Sequence, residues 1–187
     1  MQTIARIRPR ELTGYRAFLA SLIGAALTAA CAQVAFHLPG NPVPITMQVF
    51  AVLCCGLMLG SRLGALAQLQ YVVAGCLGAP VFAGFHAGPA AILGPTGGYV
   101  IGFIAAAFVV GLVADMATER TRATSCIAGL AGVLVVYVFG AGWLSVWLRV
   151  FDSSSVIWSS WVLGVAPFVG IDLVKVVLAA GLCTKRR

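Results

Sequence analysis

Residues 63–114 read LGALAQLQYVVAGCLGAPVFAGFHAGPAAILGPTGGYVIGFIAAAFVVGLVA, 52 consecutive positions without a lysine, arginine, aspartate or glutamate. A helix needs about 20 mostly apolar residues to cross the roughly 30 Å hydrocarbon core of a bilayer, so this stretch has room for two spans and a connection. Gly78-Ala79-Pro80 ends one helix and Gly94-Pro95-Thr96-Gly97-Gly98 precedes the next, since proline cannot donate the amide hydrogen a helix interior requires. The two predicted spans are Leu63–Leu77 and Tyr99–Ala114. Upstream, residues 17–61 form an uncharged window of 45. It is divided by Pro39-Gly40-Asn41-Pro42-Val43-Pro44 into spans Ala17–Phe36 and Ile45–Leu59. Downstream, Ala123–Leu148 holds a fifth span and Trp161–Cys183 a sixth, in which Asp172 and Lys175 are the charged positions.

The whole chain has the same character. Of 187 residues 61% are hydrophobic and only 9% charged, and the mean hydropathy is +1.03. Soluble domains carry about 25% charged residues, which their surfaces need. A soluble enzyme, a disordered chain and a basic nucleic-acid-binding module are excluded. The expected fold class is an all-α membrane protein with six transmembrane helices. No internal repeat is evident.

The net charge of +7 is an orientation signal. Arg6, Arg8, Arg10 and Arg16 precede span one, Arg62 lies between spans two and three, Arg120 and Arg122 between four and five, and Lys185, Arg186 and Arg187 follow span six. With six spans, ten of the twelve cations fall on one side, leaving Arg149 opposite and Lys175 inside a span. By the positive-inside rule both termini are cytoplasmic, and the basic residues also suit anionic lipid headgroups. The expected organisation is a basic cytoplasmic tail (1–16), a six-helix substrate-binding domain (17–183) and a short basic tail (184–187). Arg-rich residues followed by an apolar run and Ala30-Cys31-Ala32 resemble a signal peptide, and Leu27-Thr28-Ala29-Ala30-Cys31 a lipoprotein site. Cleavage at either would leave five spans and break the charge bias, so the segment is expected to stay as span one.

Asp172 and Lys175 are the strongest candidates for chemistry. They sit near the middle of span six, three residues apart and on one side of the helix. A charge at that depth costs roughly 2.5–3.5 kcal/mol on insertion scales, so such residues face a bundle interior or a watery cavity. One reading is an ion pair locking helices together; the other is the polar end of a ligand cavity. Gly78–Gly98, with Phe82 and Phe85, and Pro39–Pro44 read as lids over that cavity, since irregular backbone near a membrane must be buried in protein or line a cavity. Gln33, Gln48, Gln68 and Gln70 each need a hydrogen-bond partner; Gln68 and Gln70 suit interhelical bonds, and Gln48 suits a ligand.

Ala25, Ala26, Ala29 and Ala30 place small residues at four-residue spacing, a flat face for another helix of this chain or for a separate membrane subunit. His37 and His86 have no cysteine or carboxylate at ligand spacing, so no metal is expected. The six cysteines lie in apolar segments without a CxxC and read as small hydrophobes. There is no Walker A, HExxH or GxSxG motif, and neither catalysis nor a cofactor is expected.

Five motifs in order, Asn41-Pro42-Val43-Pro44-Ile45-Thr46-Met47-Gln48, Leu59-Gly60-Ser61-Arg62-Leu63-Gly64-Ala65, Gly78-Ala79-Pro80-Val81-Phe82-Ala83-Gly84, Gly94-Pro95-Thr96-Gly97-Gly98-Tyr99 and Asp172-Leu173-Val174-Lys175, resemble the BioY family. These are biotin-specific substrate-capturing (S) components of energy-coupling factor transporters. The resemblance implies a six-helix bundle binding biotin from the extracellular side, with the first and third loops as lids. It also implies a transmembrane coupling subunit and ABC ATPase subunits as partners. Asp172 and Lys175 match the family's ligand positions on the last helix, and Ala25 and Ala29 match its contact with the coupling subunit. Biotin's ureido N–H suits Asp172, and its carboxylate suits Lys175, unless that lysine instead supports Asp172. The bicycle would pack on Tyr71, Phe82 or Tyr99, with polar contacts from Thr96 and the backbone of Gly97 and Gly98. Whether copies form a homo-oligomer stays open. The competing reading is a self-sufficient secondary carrier using Asp172 as an ion site, against which stands the lack of inverted repeats. An intramembrane enzyme would need a nucleophile–base set that no span holds.

Overall fold

The structure is a computed structural model that describes residues 14–151 and 156–184. The expected tails at Arg6, Arg8, Arg10, Lys185, Arg186 and Arg187 lie outside them. The described residues form α1 (Tyr15–Ala32), a two-residue strand pair β1 (Ala35–Phe36) and β2 (Ile45–Thr46), α2 (Gln48–Cys76), α3 (Pro89–Leu93), α4 (Gly97–Met116), α5 (Arg122–Phe151), α6 (Val156–Gly164) and α7 (Ala166–Cys183). The antiparallel strand pair, Ala35 opposite Thr46, closes the first loop and is a small departure from an all-α reading. Among the described residues, five helices are long and apolar enough to cross a membrane.

Helix α2 carries the two predicted spans Ile45–Leu59 and Leu63–Leu77 as one hairpin. Gly60, at φ 78° and ψ −179°, breaks the helix in a conformation that a side chain would resist. The two arms then run back along each other. Gln48 Nε2 donates to Tyr71 Oη at 2.7 Å, whereas a straight helix would separate residues 23 apart by about 34 Å. The turn falls at Gly60, inside the gap between the two predicted spans. The predicted sixth span is likewise interrupted: α6 ends at Gly164, Val165 leaves the helical region and Pro167 opens α7. The break frees carbonyls, which find donors elsewhere. Tyr99 Oη donates to Gly164 O at 2.7 Å and Asn41 Nδ2 to Leu163 O at 2.8 Å.

Small residues let the central helices α2, α4, α5 and α7 approach closely. Ala51, Ala106, Ala107, Ala128 and Ala179 are fully buried, and Gly56 lies against Val110 and the Ala107 carbonyl. Helix α1 packs its Ala20, Ser21, Gly24, Ala25 and Thr28 side on α2, where Gln68 Nε2 donates to Thr28 Oγ1 at 3.1 Å. Gln70, expected to bridge helices, has no hydrogen-bond partner at either side-chain atom.

The two ends of the bundle differ. At one end Arg120 pairs with Asp115 and donates to Leu57 O, close to the Gly60 turn. There also the start of α5 meets the end of α7, with Ser125 Oγ 2.7 Å from Thr184 Oγ1. Arg16, Arg62, Arg120 and Arg122 belong to segments of this end. The loops rich in proline and glycine, with α3 and a tight turn at Ala83–Phe85, cover the other.

Candidate functional site

Beneath those loops lies a cavity of about 270 Å³, close to the lower end of the roughly 300–1,000 Å³ typical of ligand pockets. Its wall comes from four long helices and two connecting segments. Helix α4 supplies Tyr99, Val100 and Phe103, α5 supplies Val136 and Tyr137, and α7 supplies Phe168, Asp172 and Lys175. The first loop contributes His37, Pro42, Val43, Pro44 and Thr46, and the start of α2 adds Gln48 and Val49. The segment after α2 contributes Phe82, Ala83, His86, Ala91, Pro95 and Thr96. Most of the wall is apolar, and its charged groups lie together at one end.

That end is built on the middle of α7. Asp172 and Lys175 are each only 2% exposed. Lys175 Nζ donates to Asp172 Oδ1 at 2.7 Å and to the Thr46 carbonyl at 2.6 Å. Tyr137 Oη donates to Asp172 Oδ2 at 2.7 Å. An ammonium has three donors and a carboxylate about four acceptor positions, so each group keeps capacity for a solute. The two readings of the pair therefore coincide: it joins α7 to the first loop and to α5, and it faces the cavity.

The remaining expected contacts separate into those that line the cavity and those behind it. Gln48, Phe82, Thr96 and Tyr99 line it. Tyr71 does not. Its hydroxyl accepts from Gln48, and its ring stands edge-on to Phe82 at 5.5 Å and 87°, so it props up two wall residues. Gly97 and Gly98 also lie outside the lining. They allow close approach, since a Cβ on Gly97 would strike the Ile92 carbonyl and one on Gly98 would meet Trp143 and the Phe139 carbonyl. Their expected polar role is replaced by packing. The Ala face divides as well: Ala25 is 7% exposed and Ala29 packs on the core, whereas Ala26 and Ala30 are exposed. The open part of the face is thus offset from Ala25 and Ala29. Among the described residues no cluster of histidine, cysteine, aspartate or glutamate could hold a metal.

Sequence reasoning missed Tyr137, Asn41 and the Thr46 carbonyl. A tyrosine within an apolar span needs a hydroxyl partner in hydrocarbon, and that is the signal by which Tyr137 could be found. No residue type announces a backbone carbonyl such as that of Thr46.

Fold and cavity define a multi-pass helical membrane protein built around a small amphipathic pocket. A profile described as the BioY family matches residues 5–187. The "Probable biotin transporter BioY" of Pyrococcus horikoshii is 44% identical over 154 residues, covering 82% of this chain and 85% of that one. The "Biotin transporter BioY" of Thermotoga maritima is 39% identical over 143 residues, covering 76% and 80%. A crystal structure of "the S-component for biotin from an ECF-type ABC transporter" shares the fold, with a TM-score of 0.78 over 92% of both chains at 24% identity. The chain belongs to the BioY family.

Proposed function

We propose that this protein captures biotin at the outer face of the cell membrane as the substrate-binding subunit of an ECF-type importer. The observation that carries the reading is the amphipathic cavity whose wall includes Asp172, Lys175 and Tyr137. Biotin has a ureido group with two N–H donors and a carbonyl, an apolar bicycle, and a carboxylate on a flexible tail. Asp172 accepts a ureido N–H, and Lys175, held by Asp172 and Thr46, directs its third donor at an oxygen of the solute. Val100, Phe103, Phe168 and Phe82 enclose the bicycle. Tyr99 keeps its hydroxyl on Gly164 and offers its ring.

In the membrane, the two arms of α2 act as separate crossings, so the chain crosses six times with both termini cytoplasmic. Support comes from Arg16, Arg62, Arg120 and Arg122 gathering at the end opposite the cavity. Residues 17–183 form the binding domain between basic tails of residues 1–16 and 184–187. The transmembrane coupling subunit docks on α1 through the exposed Ala26 and Ala30, beside Ala25 and Ala29. The ATPase subunits supply the energy.

Two measurements test this. Purified protein in detergent should melt at a higher temperature with biotin, because a ligand of the native state stabilises it by mass action. In cells lacking other biotin uptake, accumulation should rise when ATPase subunits are co-expressed. No thermal shift with biotin would sink the capture reading, and proton-driven accumulation by the lone protein would instead select the secondary carrier. Tyr137→Phe should lower biotin affinity about tenfold or more in calorimetry, because it removes a hydrogen bond to an ionised acceptor. Unchanged affinity would place Tyr137 outside the binding set.

A further inference from the structure

Gln33 caps the C-terminus of α1 and uses both ends of its side-chain amide on the segment that follows α2. Nε2 lies 3.2 Å from the Phe82 carbonyl, 3.4 Å from the Val81 carbonyl and 3.2 Å from the Ala29 carbonyl of its own helix. Oε1 accepts the Phe85 N–H at 3.0 Å. One side chain therefore grips the turn at Ala83–Phe85 from both sides. The same turn supplies Phe82, Ala83 and His86 to the cavity wall. Phe82, 4% exposed, rests on Tyr71, which holds Gln48. Gln48 Oε1 accepts from Thr46 Oγ1 at 2.9 Å, and the Thr46 carbonyl accepts from Lys175. The lid and the buried ion pair are thus joined by contiguous contacts that begin at Gln33.

We propose that Gln33 is a positioning residue for capture: it latches the 81–86 turn to the end of α1 and so sets the rate at which a bound solute escapes. The solute's identity rests on the biotin reading above, but the latch does not. The latched groups lie at a partly exposed rim, with Phe85 68% exposed. Water can take over their hydrogen bonds when the amide is removed, so the fold survives and the effect is kinetic.

The test compares wild type with Gln33→Leu and Gln33→Glu, with Gln68→Leu as the structural control. Gln68 joins α2 to α1 through Thr28, away from the 81–86 turn that Gln33 holds. Amide hydrogen exchange across residues 81–86, measured without ligand, should be about tenfold faster in Gln33→Leu. Gln33→Glu keeps an acceptor for the Phe85 N–H but loses both donors, so its exchange should fall between. Gln68→Leu should leave that segment unchanged. Labelled biotin should leave Gln33→Leu about tenfold faster than wild type, with association within about twofold. Unchanged exchange in both Gln33 variants overturns the latch whatever the ligand, and faster exchange with unchanged dissociation overturns its role in escape. Failure of wild type to bind biotin strikes the reading of the cavity, while the exchange arm still decides the latch.

Discussion

Lys175→Ala should reduce biotin affinity by about a hundredfold or more and also lower the stability of the unliganded protein. The ammonium holds Asp172 Oδ1 and the Thr46 carbonyl in a place with almost no access to water. Its removal leaves a buried carboxylate with Tyr137 as its remaining donor. Breaking one partner of a buried pair costs about 3–5 kcal/mol, most of it the penalty of the uncompensated charge. The first loop also loses its anchor to α7, so one wall of the cavity loosens as the ligand donor disappears. Removing both charges separates these effects. Asp172→Asn combined with Lys175→Met leaves no orphan charge, and the asparagine amide can still accept from Tyr137. That double variant should recover most of the melting temperature and still fail to bind biotin. Calorimetric titration and thermal unfolding in the same detergent check both halves. Wild-type affinity in Lys175→Ala would remove the lysine from the ligand set.

The second large effect lies at the opposite end of the molecule. Gly111 of α4 faces the turn of the α2 hairpin, where a Cβ would strike Ser61 N and the Gly60 carbonyl carbon. Those are backbone atoms in a turn already committed to an unusual conformation, so no rotamer change relieves the clash. Gly111→Ala must push α2 away from α4 across the largest interface of the bundle, which overpacking data place at about 3 kcal/mol. The melting temperature should fall by about 10 °C. Gly170→Ala is the matched control, because nothing lies within 4 Å of a Cβ there, and alanine favours a helix by about 1 kcal/mol over glycine. Equal melting temperatures for the two variants would refute the close contact at Gly60.

Much of the site was legible because membranes make charge expensive. Asp172 and Lys175 stood out as charges amid an apolar run, and the structure brings them together at the end of a cavity. Phe82 and Thr96 were legible through the loops that carry them, and Tyr99 through the motif that opens α4. Tyr71, Gly97 and Gly98 belong to the same neighbourhoods but sit behind the wall. Residue type and spacing place a residue near a site; only packing decides whether its side chain or its neighbour's reaches the solute.

The membrane class, the apolar spans and the polar pair on the last of them follow from the sequence alone, because the cost of burying charge in hydrocarbon acts residue by residue along the chain. The break at Val165, the splitting of the alanine face and the gathering of Tyr137, Thr46 and Gln33 around cavity and lid were decided by tertiary structure. Each depends on which surfaces meet and where a distant carbonyl finds a donor, and those are relations between segments that no local pattern encodes.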